Sequence, residues 1–157
     1  MGRLETSETK RSKRPAIYIS VTITAVIVLS VFSRIDNWKR DLTTNTARLS
    51  AEAVDEQLQP PLVGGAPTEV AARIVSWVDQ QGRWKLVSQQ QIEQGVEMKL
   101  TRTTSIMRFT DDIDVVLRPE GDSTRVQAQS QSRIGKGDLG QNPRNLKELV
   151  GHLMKAG

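Results

Sequence analysis

The segment IGKGDLGQNP, residues 134–143, places three glycines and a lysine directly ahead of a predicted helix. Glycine-rich turns at helix N-termini bind phosphate when backbone N–H groups and a cation converge on the anion. A Walker-type loop needs four residues between two glycines, then Lys and Ser or Thr, and this segment lacks that order. Two interpretations remain open. One is a tight turn in which Asn142 caps the helix, and the other is a weak anion site formed by backbone N–H groups and Lys136, near which Asp138 would repel a phosphate.

The acidic run DDID, residues 111–114, is a second place where chemistry could occur. Side chains alternate between the faces of a strand, so Asp111 lies on the opposite face from the other two carboxylates. The run is therefore a poor cation site. The face of Asp111 is otherwise apolar and ends in Ser130 and Ser132, whose hydroxyls could satisfy a buried carboxylate. This pattern is compatible with two roles. One is a polar patch that fixes the loop, and the other is a functional site.

The remaining candidates favour a structural role. Asp112 and Arg133 are expected to form an exposed ion pair on the outer face of the sheet. His152 is the only histidine, lies near the chain end and is expected to be solvated, and the chain has no cysteine. No pair of base and nucleophile can be built from these residues, so the sequence disfavours an enzyme and predicts neither a metal nor a cofactor.

The elements that would position these residues follow from apolar spacing. Residues 68–82 have one apolar helical face, and the last helix is expected to begin at Pro143 with Asn142 as its N-cap. Between them the sequence predicts four strands, within residues 83–90, 96–100, 108–119 and 125–134. Gly121-Asp122 is typical of a two-residue type II′ hairpin turn. This turn predicts the cross-strand pairs Leu117–Val126, Val115–Ala128, Ile113–Ser130 and Asp111–Ser132.

The order helix, four strands, helix predicts an α+β domain over residues 67–157. Short connections between consecutive strands indicate a four-stranded antiparallel sheet. Both helices need an apolar partner and one sheet face is polar, so both are expected on the other face as a two-layer sandwich. Residues 34–66 are predicted to be a connecting arm or linker, whose first part could continue as an amphipathic helix on a membrane surface.

The N-terminal segment predicts a membrane anchor. Residues 1–34 hold six basic and two acidic residues, so they carry the whole formal charge of +4 and leave the domain without the basic excess that a nucleic-acid binder needs. Residues 16–33 are uncharged, which predicts a single transmembrane helix in contact with the lipid bilayer, after a basic cytoplasmic tail at 1–15. The domain would then lie in the periplasm or thylakoid lumen. A cleaved signal peptide and a buried helix are the alternatives.

The run RFTDDIDVVL…QSQSRIGKGDLGQNPRNLKEL resembles the uncharacterised family known as domain of unknown function 1499, over roughly residues 41–155. The family pattern falls on Phe109, Asp111, Asp112, Ser132, Arg133, Gly135, Asp138, Leu139, Gly140 and Asn142. RDLTTN together with GKGDLGQNP is most similar to the cyanobacterial branch. Many members carry an Asn-Cys pair in the arm, where this chain has Asn45-Thr46, so a role of that cysteine does not carry over.

Two functions are therefore expected. The first is a non-catalytic binding or assembly domain on a single-pass membrane protein, with a membrane protein as partner. The resemblance implies an accessory factor of a photosynthetic or envelope membrane complex. The second is a small-ligand or anion binder, or an enzyme, that uses Asp111, Lys136 and Asp138 around the glycine-rich loop.

Overall fold

A computed structural model describes residues 14–33, 42–105 and 108–155 of the chain. The chain divides into two compact units, Met1–Ile35 and Asp36–Gly157. The first part of the predicted arm, residues 34–41, lies outside the described residues. All the candidate site residues belong to the second unit.

The described part of the first unit, residues 14–33, contains one helix, α1, which spans Arg14–Phe32. Among the residues that the structure describes, no helix is both long and apolar enough to cross a bilayer. The predicted transmembrane anchor at 16–33 is therefore wrong, and so is the single-pass membrane localisation with the domain in the periplasm or thylakoid lumen. The uncharged run of 18 residues reaches only about 27 Å along a helix, which is short of the roughly 30 Å of hydrocarbon in a bilayer.

The second unit consists of a sheet and two long helices. Its elements in chain order are β1 (Thr46–Arg48), a 3-10 turn (Glu56–Leu58), β2 (Leu62–Gly64), α2 (Pro67–Gln80), β3 (Trp84–Ile92), β4 (Gly95–Thr103), β5 (Thr110–Glu120), β6 (Ser123–Ser132) and α3 (Gln141–Lys155). At the start of α2, Pro67 is the first helical residue and the Glu69 carboxylate accepts a hydrogen bond from Ala66 N at 3.1 Å. This bond is the glutamate half of a capping box, and with the proline at the first position it is typical of a helix N-terminus.

The strands form one antiparallel sheet in the order β1-β6-β5-β4-β3, and β2 also pairs with β6. β5 and β6 form the predicted hairpin around Gly121-Asp122. Gly121 has a φ of 60° and the φ of Asp122 is not positive, as a type II′ turn requires. The predicted register is confirmed at all four positions, including Asp111 opposite Ser132.

The four-stranded sheet predicted from the sequence is wrong, because the described residues form six strands in this sheet. The two additional strands, β1 and β2, come from the segment for which the sequence predicts a connecting arm. They pair with opposite ends of β6, at Gln129–Gln131 and at Ser123–Arg125. A three-residue strand places at most two side chains on one face, so neither strand carries a periodicity that distinguishes it from a turn. Their pairing depends on the long neighbour β6.

The predicted α+β architecture is confirmed, with a single core between the helices and one face of the sheet. The helices contribute Val70, Ala71, Ile74, Trp77, Val78, Leu146, Leu149, Val150 and Leu153 to it, and the long strands contribute Trp84, Val96, Met98, Leu100, Ile113, Val115, Leu117, Val126 and Ala128. On the other face of the sheet, Gln127, Gln129 and Gln131 are exposed. This alternation is what a sheet covered on one side only produces.

Candidate functional site

Polar side chains gather where β5, β6 and α3 meet at one end of the core. Asp111 near the start of β5 faces inward and lies opposite Ser132 of β6, while Ser130 lies two residues earlier on the same face. All three are buried, and Asp111 is only 1% exposed. A buried carboxylate destabilises a fold unless hydrogen bonds compensate for its lost hydration.

Two neutral donors supply that compensation. The Ser132 hydroxyl donates to Asp111 Oδ1 at 2.7 Å, and Asn145 Nδ2 donates to Asp111 Oδ2 at 2.9 Å. The cation nearest in register is Arg102 on β4, but its guanidinium pairs with Glu148 at 3.0 Å. The carboxylate of Asp111 is therefore held by a hydroxyl and an amide.

The bonds continue through α3 and close on themselves. Asn145 Nδ2 also donates to Ser130 Oγ at 3.0 Å, and the Ser130 hydroxyl donates to Asn142 Oδ1 at 2.6 Å. Asn142 Nδ2 then donates to Ser132 Oγ at 3.0 Å. We call this closed set of side chains, Asp111, Ser130, Ser132, Asn142 and Asn145, the polar ring. Both of its hydroxyl protons and both of its side-chain N–H₂ groups are used in hydrogen bonds.

Asn142 does not cap α3, which corrects the prediction for this residue. The helix begins at Gln141, so Asn142 already lies within its first turn, and Asn142 is completely buried. Its second amide proton bonds to the backbone oxygen of Asn45 at 2.7 Å, just before β1. Asn142 therefore joins the last helix to a segment almost a hundred residues earlier in the chain.

Asp138 performs the capping role instead. Its two carboxylate oxygens accept from Gly140 N and from Asn142 N, each at 2.8 Å. A negative charge that accepts from the free N–H groups of the first turn stabilises a helix N-terminus. Leu139 has a φ of 52° and Gly140 a φ of 73°, so the chain turns through two left-handed residues before α3. The carboxylate occupies the backbone donors that an anion would need.

The other predicted site residues lie outside this cluster. Lys136 is exposed on the loop. Asp112 faces the opposite side of the sheet, where the Arg133 guanidinium donates to both of its carboxylate oxygens at 2.9 and 2.7 Å. These hydrogen bonds lower the pKa of Asp112, and the predicted exposed ion pair is confirmed. The structure thus brings together Asp111, Ser132, Asn142 and Asp138, and separates them from Lys136 and the ion pair.

His152 is half-buried, and not fully solvated as the sequence predicts. Its ring stacks on Trp77 with centroids 5.1 Å apart and an angle of 14° between the planes. Burial lowers the pKa of the imidazole below its ordinary value of 6.5. His152 therefore belongs to the packing between α2 and α3.

Sequence reasoning did not select three residues of the cluster as site residues. Asn145 and Ser130 complete the ring, and Asn45 both accepts from Asn142 and donates through Nδ2 to Gly135 O at 2.9 Å. Asn145 could have been identified from the sequence, because it lies three residues after Asn142 and one before Leu146, on the buried helix face. No local signal marks Asn45, since its partners are distant in the chain.

The cluster has no open cavity of its own among those that the structure shows. One cavity of about 390 Å³ lies between the start of α2 and the β3–β4 turn. Another of about 410 Å³ lies beside Pro60 and Arg125. None of the residues of the polar ring lines either one. Within residues 14–33, 42–105 and 108–155, no three His, Asp or Glu side chains come together as a metal site. The hydrogen bonds of the polar ring therefore hold β5, β6 and α3 together.

Residues 38–153 match the model of a protein family described as Protein of unknown function (DUF1499). This match covers well over half of the 157 residues and contains every element of the second unit except the last two residues of α3. No curated protein matches the chain. No solved structure matches it either. The chain therefore belongs to the family described as Protein of unknown function (DUF1499).

Proposed function

We propose that the second unit is a non-catalytic binding or assembly domain. The observation that carries this proposal is the closed polar ring. An enzyme or ligand site needs at least one polar group that is free to bond to a substrate. The ring hydroxyls and amides bond to each other, and the Asp138 carboxylate bonds to two backbone N–H groups.

A surface next to the ring supports a binding role. Arg133 N donates to Thr110 O at 3.2 Å. Ile134 follows Arg133 and Phe109 precedes Thr110, so both lie at the same end of the sheet. Ile134 is 63% exposed, and Phe109 and Leu139 are each 39% exposed. Ile134 and Leu139 both belong to the loop between β6 and α3, and exposed apolar side chains in neighbouring segments are typical of a protein-binding surface. We call these three residues the loop-end surface.

The polar ring gives this surface a fixed shape. Asn142 of the ring donates to Asn45 O and to the Asp138 carboxylate. Asn45 in turn holds the carbonyl of Gly135, and Asp138 holds the turn into α3. A loop that is fixed before binding loses less conformational entropy on association. The ring would then serve binding indirectly, as the support for the loop-end surface.

The similarity of RDLTTN and GKGDLGQNP to the cyanobacterial branch extends the proposal to a class of partner. The domain would then act as an accessory factor of a photosynthetic or envelope membrane complex. This extension depends on the resemblance alone, and the loop-end surface does not depend on it.

Affinity purification of the full chain from its own cells, followed by mass spectrometry, tests the proposal. Ile134→Ser should lose a partner that the wild type recovers, because it removes the most exposed apolar side chain of the loop-end surface. Val54→Ser is the matched control, since Val54 is fully exposed and lies in another part of the domain. Recovery of the same proteins with all three chains would contradict the proposed surface.

Thermal melts test the anion-binding alternative separately. Wild type and Lys136→Ala are heated with and without millimolar phosphate or nucleotide. We expect no change in Tm with anion for either chain, because Asp138 already occupies the loop donors. A ligand at a hundred times its Kd would stabilise the fold by about 2.7 kcal/mol. A rise of Tm in the wild type alone would replace the proposed function by anion binding.

A further inference from the structure

The strand β3 lies at an edge of the sheet and is almost entirely exposed. Among the strands that the structure describes, β4 alone pairs with it, so one side of its backbone has no described strand beside it. Seven consecutive residues, Lys85–Gln91, are exposed on both faces, and within β3 only Trp84 is buried. The helices therefore leave most of this strand uncovered beyond Trp84.

Such a strand is weakly stabilised within one chain. Leu86 is 36% exposed and Val87 is 61% exposed, so β3 gains little from apolar burial after Trp84. The opposite edge differs, because β1 and β2 cover parts of β6 there. A long open edge strand is a template for pairing with another strand.

The charges along this edge are self-complementary. Residues 86–92 are uncharged, and they are bounded by Lys85 on one side and Glu93 on the other. Two copies in antiparallel order, related by a two-fold axis near Gln89, place one lysine and one glutamate at each end of the pair. Parallel order would place like charges together. A register shift of one residue, which the bulge between Leu86 and Ser88 could impose, leaves the opposite charges close.

We propose that β3 pairs with β3 of a second copy of this chain in antiparallel order, which makes one continuous sheet across a two-fold dimer. Closed two-fold symmetry uses the same strand from both copies and leaves neither β3 edge open. A single strand-to-strand contact is smaller than the roughly 1,200 Å² of a standard stable interface. The dimer is therefore in equilibrium with monomer, and its population rises with protein concentration. This proposal does not depend on the loop-end surface.

Charge reversal at the two ends of the edge tests the pairing. The oligomeric state of the full chain is measured by sedimentation equilibrium over a range of concentrations. Lys85→Glu and Glu93→Lys should each raise the Kd of the dimer by about tenfold or more, because each places like charges together at both ends. The double variant Lys85→Glu with Glu93→Lys restores opposite charges and should recover a Kd near that of the wild type.

Arg48→Glu is the matched control, because it makes the same change of charge on an exposed residue of β1 at the other side of the sheet. It should leave the Kd unchanged. A wild type that stays monomeric at every concentration would overturn the proposal and leave the edge to an extended segment of another protein. Self-association that responds equally to Arg48→Glu and Lys85→Glu, or to neither, would also overturn it. Neither result bears on Ile134→Ser, so the two proposals fail independently.

Discussion

At the scale of single residues, Asp111 is the one carboxylate in the polar ring, so its burial costs more than that of the neutral side chains. Its carboxylate is buried and accepts hydrogen bonds from Ser132 and Asn145. Hydrogen bonds to a charged group contribute more than bonds between neutral groups. Removing the carboxylate also leaves two buried donors without an acceptor, and that loss exceeds the value of the bonds themselves.

Asp111→Ala should therefore lower the free energy of unfolding by about 2–3 kcal/mol. Asp114→Ala, on the exposed face of the same strand, should change it by only a few tenths of a kcal/mol. Urea denaturation of the full chain and both variants measures the difference. Equal midpoints for the two variants would show that the polar ring does not stabilise the fold.

A second prediction follows from the finding that Asp138, and not Asn142, caps α3. Asn142→Ala removes buried bonds to Ser130, Ser132 and Asn45, and we expect a loss of about 2–3 kcal/mol. Asp138→Ala removes a helix cap and should cost about 1 kcal/mol. Lys136→Ala should leave stability unchanged, because its side chain is exposed. Urea midpoints that place Asp138→Ala below Asn142→Ala would contradict this order.

At the scale of elements, the β3–β4 hairpin depends on the absence of a side chain at Gly95. Its φ is 132°, and a Cβ built there would lie 1.9 Å from the backbone oxygen of Leu117 on β5. Real Cβ atoms do not approach backbone oxygen so closely, so either β4 or β5 must move. This close approach links the turn after β3 to the centre of the sheet.

Gly95→Ala should therefore lower the free energy of unfolding by about 3 kcal/mol. Gly82→Ala is a suitable control, because a Cβ there meets nothing within 4 Å and the φ of Gly82 is not positive. We expect it to change stability by no more than about 0.5 kcal/mol. Thermal or urea melts of both variants measure this contrast. A normal midpoint for Gly95→Ala would mean that the hairpin accommodates a side chain there.

At the scale of the whole molecule, α2 and α3 are joined by the stack of His152 on Trp77. Burial lowers the pKa of His152 in the folded chain. As the pH falls below about 6.5, the unfolded chain therefore binds more protons at this residue than the folded chain does. The contribution of the neutral ring is complete above that pH. It is lost progressively as the pH falls from 6.5 towards the lower pKa of the folded state.

The wild type should therefore lose stability on acidification through pH 6.5, and His152→Phe should lose less, because a phenyl ring keeps the stack without a proton to bind. Urea midpoints at half-unit steps from pH 5 to pH 7.5 measure both slopes. Asp112 titrates at lower pH, below its ordinary 3.8, and does not contribute in this window. Parallel curves for the two chains would show that another group determines the slope.

The sequence by itself determined the long elements and the register of one hairpin. The hairpin of β5 and β6 follows from Gly121-Asp122 and from strict alternation, and both signals lie within about 25 residues of chain. The same alternation placed Asp111 inward and Asp112 outward. The apolar spacing of α2 and α3 was equally local. These features need no knowledge of distant contacts, because a strand or helix with one apolar face has one favourable orientation.

Only the tertiary structure decided what lies at the ends of these elements. Local pattern made Asn142 a helix cap, but a bond to the distant Asn45 draws it into the core and leaves the cap to Asp138. The strands β1 and β2 form because β6 offers unpaired backbone groups along both halves of one edge. A pattern of three residues is too short to predict such pairing. Hydrogen bonds between residues far apart in the chain leave no periodicity, and so their partners become visible only once the chain has folded.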